Sequence, residues 1–468
     1  MATTADDTSA RPQNGGFLER RFLITERRST VRTEVLGGVA TFLTMSYIVF
    51  VNPAILAAAG MPFAAVTVAT ALAAAVATAV MGLATNLPFA LASGLGINAV
   101  VAFDLVLGRG LSWPVAMSCI VLEGALAVVL VLAGLREAIV RAVPLELKLA
   151  IGVGIGLFIA LVGLRDGGIV VNDAATGIAL GDLTSGPALI ALAGILVAGA
   201  LAVRGARGAM LAGIATATVL GLIFGILDGP SGVAELPKGS SFSTIGDALD
   251  PTNLGDAITW ALVPVIFALF MTDFFDTVGT ATAVTSSAGL TDADGGVPNI
   301  KRLLLVDSAA ALGGGVAGVS SVTTYVESGA GVAEGARTGL ASLVTAGLFV
   351  LTIFFVPLIA LVGQGVMVNK VDLHPATAPA LVMVGYLMIR LVSDIDFKRP
   401  EAALPAFLVI VGIPMTFSIA AGIGLGIFGY VVAMVAQGRA REVHVLMWCL
   451  VPMFAAFYAS DWLSANVF

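Results

Sequence analysis

Three carboxylates and one amide lie inside stretches that are otherwise apolar, and these are the groups with which the chain could do chemistry. Asp273 and Asp276 fall in Leu269-Phe270-Met271-Thr272-Asp273-Phe274-Phe275-Asp276-Thr277-Val278-Gly279-Thr280, Glu327 in Thr323-Thr324-Tyr325-Val326-Glu327-Ser328-Gly329, and Asn98 follows Ala92-Ser93-Gly94-Leu95-Gly96-Ile97. Insertion of an aspartate at the centre of a membrane helix costs about 2.5–3.5 kcal/mol, so two cost about 5–7 kcal/mol unless they face protein, water, a cation or a ligand. At i and i+3, Asp273 and Asp276 share one helical face. Two carboxylates that close compete to stay charged, which suits them to take up and release a proton. Small residues around Glu327 allow extended backbone before a half-helix, whose start would favour a carboxylate able to accept two N–H bonds from the edge of a planar ligand. The Asn98 amide offers both a donor and an acceptor, which fits the edge of a heterocyclic base. The plainer alternatives are capping or bracing of broken helices by these same groups.

These residues need a membrane around them. Of 468 residues, 58% are hydrophobic and 11% charged, with a mean hydropathy of +1.03. Soluble domains carry about 25% charged residues, so too little polar surface exists to coat a globule, and a soluble enzyme is excluded. The net charge of −7 says nothing by itself about partners, because most of the charges sit in loops, and nucleic acid is not an expected ligand. Cys119 and Cys449 lie in apolar runs and suggest buried thiols rather than a disulfide, while His374 and His444 lack neighbours at ligand spacing, so no metal site or cofactor is expected. Residues 1–33 are polar and basic and lack the apolar core of a removable signal, so the first span is expected to act as the membrane signal. Arg20-Arg21 is expected to belong to a cytoplasmic flank rather than an export motif.

Apolar runs recur at 34–56, 63–84, 88–106, 112–134, 145–163, 185–203, 207–227, 257–281, 301–319, 321–333, 336–362, 377–393, 402–436 and 444–463. An inside N-terminus also puts Arg136, Arg141, Lys148, Arg204, Arg207, Lys301, Arg302, Arg337, Lys398 and Arg399 inside, and leaves the Asp-rich loops 165–184 and 228–256 outside. The stretch 402–436 is too long for one simple span and is expected to be a broken or re-entrant pair. Two runs are interrupted, 88–106 by Pro88, Gly94 and Gly96, and 321–333 by polar residues and glycines. They stand third and tenth, the matching positions of two seven-span halves. Seven is odd, so the second half starts from the opposite side, which makes an inverted repeat of the kind that places transporter sites where unwound backbone meets. Thr44 to Asn98 and Asp273 to Glu327 are both separated by 54 residues, in keeping with such a repeat. The fold class expected is therefore an all-α polytopic membrane protein of about fourteen segments. Other charges near or within the membrane are weaker candidates: Asp104 and Arg109 near a loop, Glu123 in the fourth run, Arg390 at the end of another, and Asp307. Phe89, Phe103 and Phe275 could stack on a flat ligand, but packing is the expected role. The glycines at 152–156 and 313–315 lack a phosphate-loop lysine and are expected in helix packing.

The segments Gly37-Gly38-Val39-Ala40-Thr41-Phe42-Leu43-Thr44-Met45-Ser46-Tyr47, Gly94-Leu95-Gly96-Ile97-Asn98-Ala99, Asp273 to Thr280 and Thr324-Tyr325-Val326-Glu327-Ser328 together resemble the azaguanine-resistance-type purine permeases, a branch of the nucleobase–cation symporters, over about 30–465. The resemblance implies fourteen spans, with short strands in spans 3 and 10. After a basic N-terminal segment, 1–33, it implies a core domain from 34–134 and 257–362 (spans 1–4 and 8–11) and a gate domain from 145–227 and 377–463 (spans 5–7 and 12–14). It implies import of adenine, guanine or hypoxanthine with protons, sodium being the other possible ion. Substrate contacts would come from Asn98, Asp273 and Glu327, with Gly96 leaving room for the base. Proton coupling would fall to Asp273, Asp276 and Glu327, and a homodimer would form through the gate domain. Two other readings are an anion carrier for sulfate, bicarbonate or a dicarboxylate, opposed by the three acids, and an intramembrane aspartyl hydrolase, opposed by the placement of Asp273 and Asp276 on one turn.

Overall fold

The computed structural model describes residues 16–134, 143–206, 208–260, 262–291, 297–368 and 371–466; Arg136, Arg141 and Arg207 lie outside them, as does the side chain of Phe275. The chain is a polytopic bundle of helices. Spans 1 to 14 are, in order, Val31–Met45 with Ile48–Ala57, Phe63–Thr85, the broken segment 91–108, Trp113–Leu132, Leu145–Asp166, Gly186–Val203, Ala209–Ile223, Val263–Ala288, Ile300–Ala317, the broken segment 322–333, Gly339–Thr352 with Val356–Val362, Ala378–Met388, Pro400–Thr416 and Ile419–Ala436. Among the described residues, eight helical segments are long and apolar enough to cross a membrane by length and composition alone. Of the rest, spans 3 and 10 are interrupted, spans 7, 12 and 13 are shorter, and span 9 is 18 residues long but carries Lys301, Arg302 and Asp307.

Helix contacts occur in pairs related by adding seven to the span number. Span 2 packs on 11 as 9 packs on 4, span 1 on 10 as 8 on 3, span 6 on 12 as 13 on 5, and span 6 on 7 as 13 on 14. Pairs that map onto themselves, 2 with 9, 3 with 10 and 5 with 12, hold the two halves together. The inverted repeat inferred from two interrupted runs is thus the organising symmetry of the molecule. Spans 1–4 and 8–11 pack mainly on one another as a larger bundle, and spans 5–7 and 12–14 as a smaller one. Glycine permits the closest approaches: a Cβ on Gly124 would run into Leu312, one on Gly82 into Gly339, and one on Gly385 into Gly156. Such contacts replace the hydrophobic drive that lipid does not supply.

The stretch 402–436 is two helices, as its length demanded. Phe417 takes a left-handed conformation at φ 52° between them, and the Ser418 side chain accepts the N–H of Ala421 to start the next helix. Since this pair fills positions thirteen and fourteen, the final run is not the fourteenth element. Val445–Asn466 is an additional helix packed on spans 14 and 8.

Spans 3 and 10 do not cross as continuous helices. Strands β1 (Leu91–Ser93) and β2 (Val322–Thr324) pair antiparallel in the middle of the larger bundle, with Leu91 opposite Thr324, Ala92 opposite Thr323 and Ser93 opposite Val322. The pairing continues through Gly94 N–H to Ser321 O at 2.8 Å and Tyr325 N–H to Ala90 O at 3.0 Å. Ala90 N–H finds the Ser328 hydroxyl at 3.0 Å. Each extended segment thereby satisfies the backbone of the other where no water is at hand, the condition for non-helical chain at membrane depth. Beyond Leu95–Ala99, span 3 continues as a π-helix over Val100–Gly108, a winding that concentrates at functional sites.

On one side of the bundle the Arg27 guanidinium donates to Asn86 O at 2.6 Å and Arg337 O at 2.9 Å, tying the N-terminal segment to the ends of spans 2 and 11. At the start of spans 5 and 13, Arg399 pairs with Glu146 at 3.3 Å. Two hairpins, Val170–Asp173 with Gly177–Leu180 and Val366–Val368 with Val371–Leu373, follow spans 5 and 11.

Candidate functional site

The crossing of β1 and β2 brings together groups from four spans of the larger bundle. Glu327 follows β2 and precedes the short helix Ser328–Ala333, but its side chain makes no capping bond. Its carboxylate is half-buried, and its Oε1 accepts the Tyr47 hydroxyl at 2.6 Å. Tyr47 lies at the break in span 1, where the helix stops at Met45 and restarts at Ile48. The Thr44 hydroxyl, one turn earlier, points toward Glu327 O at 3.4 Å while bonding Ala40 O at 3.0 Å. A tyrosine at that break holds one carboxylate oxygen and leaves the other for a second donor.

Asn98 is fully buried. Its Oδ1 lies 2.8 Å from the Ser93 hydroxyl, whereas its Nδ2 has no partner among the described residues. Ser93 is fixed in turn: its hydroxyl also reaches Val319 O, and its carbonyl accepts the Tyr325 hydroxyl. Nearby, the hydroxyls of Ser321 and Thr324 are buried without partners among the described residues. A fully buried amide with a free donor costs about 1–3 kcal/mol unless something completes it.

Asp273 and Asp276 are three residues apart in span 8 but meet different surroundings. Asp273 is 3% exposed, and its Oδ1 has no partner among the described residues. Asp276 is exposed and within electrostatic reach of Glu327. An unpaired acid facing lipid would carry the insertion cost given above, so this opening is a place for water. The shared face expected from the spacing is divided in the fold: Asp273 turns inward to the strands and Asp276 outward toward Glu327.

The structure sets Gly96 against the smaller bundle. A Cβ there would lie 2.7 Å from Ile155 Cγ2 in span 5, so the missing side chain lets span 3 approach span 5. Phe89 is fully buried, and Phe103 meets Phe158 edge-on with ring centroids 6.2 Å apart. Both pack, as expected.

Sequence reasoning passed over the residues that orient the site. Tyr47, Ser93 and Tyr325 are all within the quoted motifs, and Tyr47 and Tyr325 are two of only five tyrosines in the chain. A polar aromatic in an apolar run was the available signal, since its hydroxyl must find a partner when buried. Among the described residues, no group of three or more His, Cys, Asp and Glu side chains is placed to hold a metal ion.

A family model described as Permease family matches residues 32–425. The chain is 40% identical to the guanine/hypoxanthine permease PbuG of Bacillus subtilis, covering 93% of this chain and 98% of that protein. It is 38% identical to the adenine permease AdeQ of Escherichia coli, covering 96% and 98%. In three dimensions it is similar to the transmembrane domain of a cyanobacterial bicarbonate transporter, BicA, with a TM-score of 0.58 and 16% identity over 83% of this chain and 97% of that one. The murine anion transporter Slc26a9 in its inward-facing state gives a TM-score of 0.60 at 11% identity, over 92% of this chain and 74% of that one. At such identities the likeness is one of fold.

Proposed function

The chain belongs to this permease family, a transporter rather than an enzyme, and from that premise we propose that it imports purine nucleobases, adenine, guanine or hypoxanthine, by proton symport and alternating access. The observation that carries this reading is the pair of polar groups left open at the strand crossing, the Glu327 carboxylate and the buried Asn98 Nδ2. A flat heterocycle with N–H donors on one edge and a ring or carbonyl acceptor beside them answers both. Glu327, braced by Tyr47, accepts the base N–H groups, and Asn98 donates to the neighbouring acceptor. Asp273 closes the site from span 8 and responds to protonation, while Asp276, facing Glu327 from the open side, helps set the charge of the site. The base is neutral, so net charge moves with the proton.

In this reading the larger bundle is the core that carries the base and the smaller bundle the gate against which it shifts. Gly96 is then at the sliding contact as well as beside the base. The basic residues gathered at one side by Arg27, Arg337 and Arg399 support a cytoplasmic N-terminus in a plasma or inner membrane. A homodimer joined through the gate belongs to the same proposal, and crosslinking in native membranes tests it. The anion reading is disfavoured by the site itself, which offers acids where an anion would need Arg, Lys or free helix N-termini.

The test is uptake of labelled adenine, guanine and hypoxanthine into liposomes holding the purified protein, with and without a protonophore, and with bicarbonate and sulfate as competitors. Accumulation that collapses with the proton gradient and resists the anions is expected. Uptake of no purine, or uptake indifferent to the gradient, overturns the proposal.

A further inference from the structure

Two fully buried asparagines, one in the base site and one outside it, each leave one amide atom without a partner among the described residues. Asn52 lies in the second helix of span 1, and its Oδ1 meets no donor, just as the Asn98 Nδ2 meets no acceptor. Hydrogen bonds join the two through Val319, in the link between span 9 and β2, and Ser93, the last residue of β1. The base-reading geometry does not use Asn52.

The protons of this network can be counted. Thr70, in span 2, donates its hydroxyl to Val66 O at 2.6 Å, so its oxygen accepts an N–H of Asn52 Nδ2 at 2.7 Å. That sets the Asn52 amide, whose nitrogen carries a second proton and lies 3.5 Å from Val319 O. Turned end for end, the amide would put its own oxygen against that carbonyl oxygen. The Ser93 hydroxyl touches the same Val319 O and lies 2.8 Å from Asn98 Oδ1. One hydroxyl proton therefore stands between two acceptors.

What else serves Val319 O decides where that proton goes. With Asn52 donating to the carbonyl, the Ser93 proton is free for Asn98 Oδ1, and Asn98 turns its Nδ2 donor toward the base. With no other donor there, the Ser93 proton is held by Val319 O and the Ser93 oxygen is left to accept. The Asn98 amide is then better satisfied end for end, with its nitrogen toward Ser93 and its oxygen toward the base. The two ends of an amide have the same shape, so the hydrogen-bond count alone chooses between them.

We propose that Asn52 is a positioning residue that determines specificity: through Val319 O and Ser93 it keeps the Asn98 amide with its donor toward the base. The proposal rests on the purine reading above and says what that orientation admits. A donor beside the Glu327 carboxylate fits an edge where an N–H stands next to an acceptor. Guanine and hypoxanthine offer N1–H beside O6, and adenine offers N6–H beside N1. An acceptor beside Glu327 fits two adjacent N–H groups instead. Guanine has them, in N1–H and its 2-amino group, and hypoxanthine does not. Asn52 thus gives the site its breadth, and its loss should favour guanine over hypoxanthine.

Competition binding of hypoxanthine and guanine to the purified protein tests this with Asn52→Leu, which keeps the bulk of the side chain and removes its donors. Hypoxanthine affinity should fall about tenfold while guanine affinity stays within about threefold of wild type. A merely structural role would weaken both bases alike, so an equal loss overturns the proposal, as does an unchanged ratio. Ser93→Ala takes away the link: both bases should weaken by a similar factor, and in that background Asn52→Leu should no longer change their ratio. A ratio that still changes overturns the route through Ser93. Should Asn52→Leu not fold, Thr70→Val decides. It removes only the acceptor that sets Asn52 and should move the ratio in the same direction by about threefold; an unchanged ratio there overturns the proposal. Wild type that binds neither base overturns the purine reading and this proposal together, whereas wild type that binds both, with variants that keep the ratio, overturns this proposal alone.

Discussion

Two regions hold polar groups in opposite ways. At the rim of the smaller bundle, Glu146, Arg399, Glu401, Arg439 and Glu442 form a closed ionic cluster. Arg399 pairs with Glu146 and with Glu401 at 3.3 Å each, and Arg439 pairs with Glu401 at 3.0 Å and Glu442 at 2.6 Å. At the strand crossing of the larger bundle, the Asn98 Nδ2 and the Asp273 Oδ1 are buried with no partner among the described residues. Exposed ion pairs contribute little because water competes for both partners. Uncompleted polar atoms in an apolar interior are costly, so a chain retains them where a ligand or an ion completes them. The rim thus reads as structure and the crossing as function, and substitutions should separate the two.

The largest effect is expected at the crossing. Glu327→Gln removes the charge that accepts base N–H groups and turns one acceptor into a donor. Hydrogen bonds to a charged group contribute about 1.5–3 kcal/mol, so hypoxanthine affinity should fall about tenfold to a hundredfold. Competition binding to purified protein measures this, with a thermal melt to show that the fold survives. Unchanged affinity would remove Glu327 from the site and leave it a counterpart of the rim acids.

A smaller effect separates binding from movement. Gly96→Val places atoms against Ile155, whose Cγ2 lies 2.7 Å from the position of a Cβ. Overpacking costs about 1–3 kcal/mol, which should slow turnover about tenfold with binding held within about threefold, and Ile155→Ala should restore it. Lost affinity at normal turnover would instead mean that the base itself sits over Gly96.

The link between bundles at the outer end of span 3 should be weaker still. The Ser418 hydroxyl donates to Asp104 Oδ2 at 2.5 Å, and Arg109 pairs with the other Asp104 oxygen at 2.9 Å while its guanidinium lies over Phe457, 4.9 Å from the ring centre. Ser418→Ala removes one of the bonds that Asp104 accepts and leaves the Arg109 pair in place, so only part of a charged bond's about 1.5–3 kcal/mol is lost and the balance between conformations should shift by about threefold to tenfold. Accessibility of a single cysteine placed on the Ser418 loop reports that balance. No shift would make this contact a passive one.

How much of this was written in the letters follows the same division. Glu327, Asp273 and Asn98 were legible because the penalty for polar groups in an apolar run is local and large. The extended strands were legible as interruptions at matching positions. That the Glu123 carboxylate is buried without a donor among the described residues was not, because the surroundings of one acid in an apolar run are set only when spans 4 and 9 pack through Gly124 and Gly315. Nor could spacing show that Asp273 and Asp276 part company, since periodicity gives an angle on one helix and not what each side of that helix meets. Counting apolar runs also reached its limit at the C-terminal end. The length of 402–436 pointed to a broken pair, and the structure puts the break at the left-handed Phe417, but the run count numbered the final helix as the fourteenth span although that pair already fills positions thirteen and fourteen.

The smallest effect belongs to the rim, and its pH dependence gives it a signature. Arg439 bonds Glu442 and holds its carboxyl below the usual carboxylate range. A carboxyl so depressed in the folded protein and ordinary in the unfolded chain contributes stability that is present above the unfolded value, about 4.3. That contribution is lost as pH falls through the depressed folded value. Arg439→Gln should therefore lower the thermal midpoint slightly at pH 7, and the difference from wild type should shrink as the medium is acidified below the carboxylate range. Because the side chains are solvent-exposed, the loss is small, and purine uptake should stay within about twofold of wild type. A large fall in uptake with an unchanged melt would place the rim in the transport cycle, and the contrast between a structural cluster and an open functional one would no longer hold.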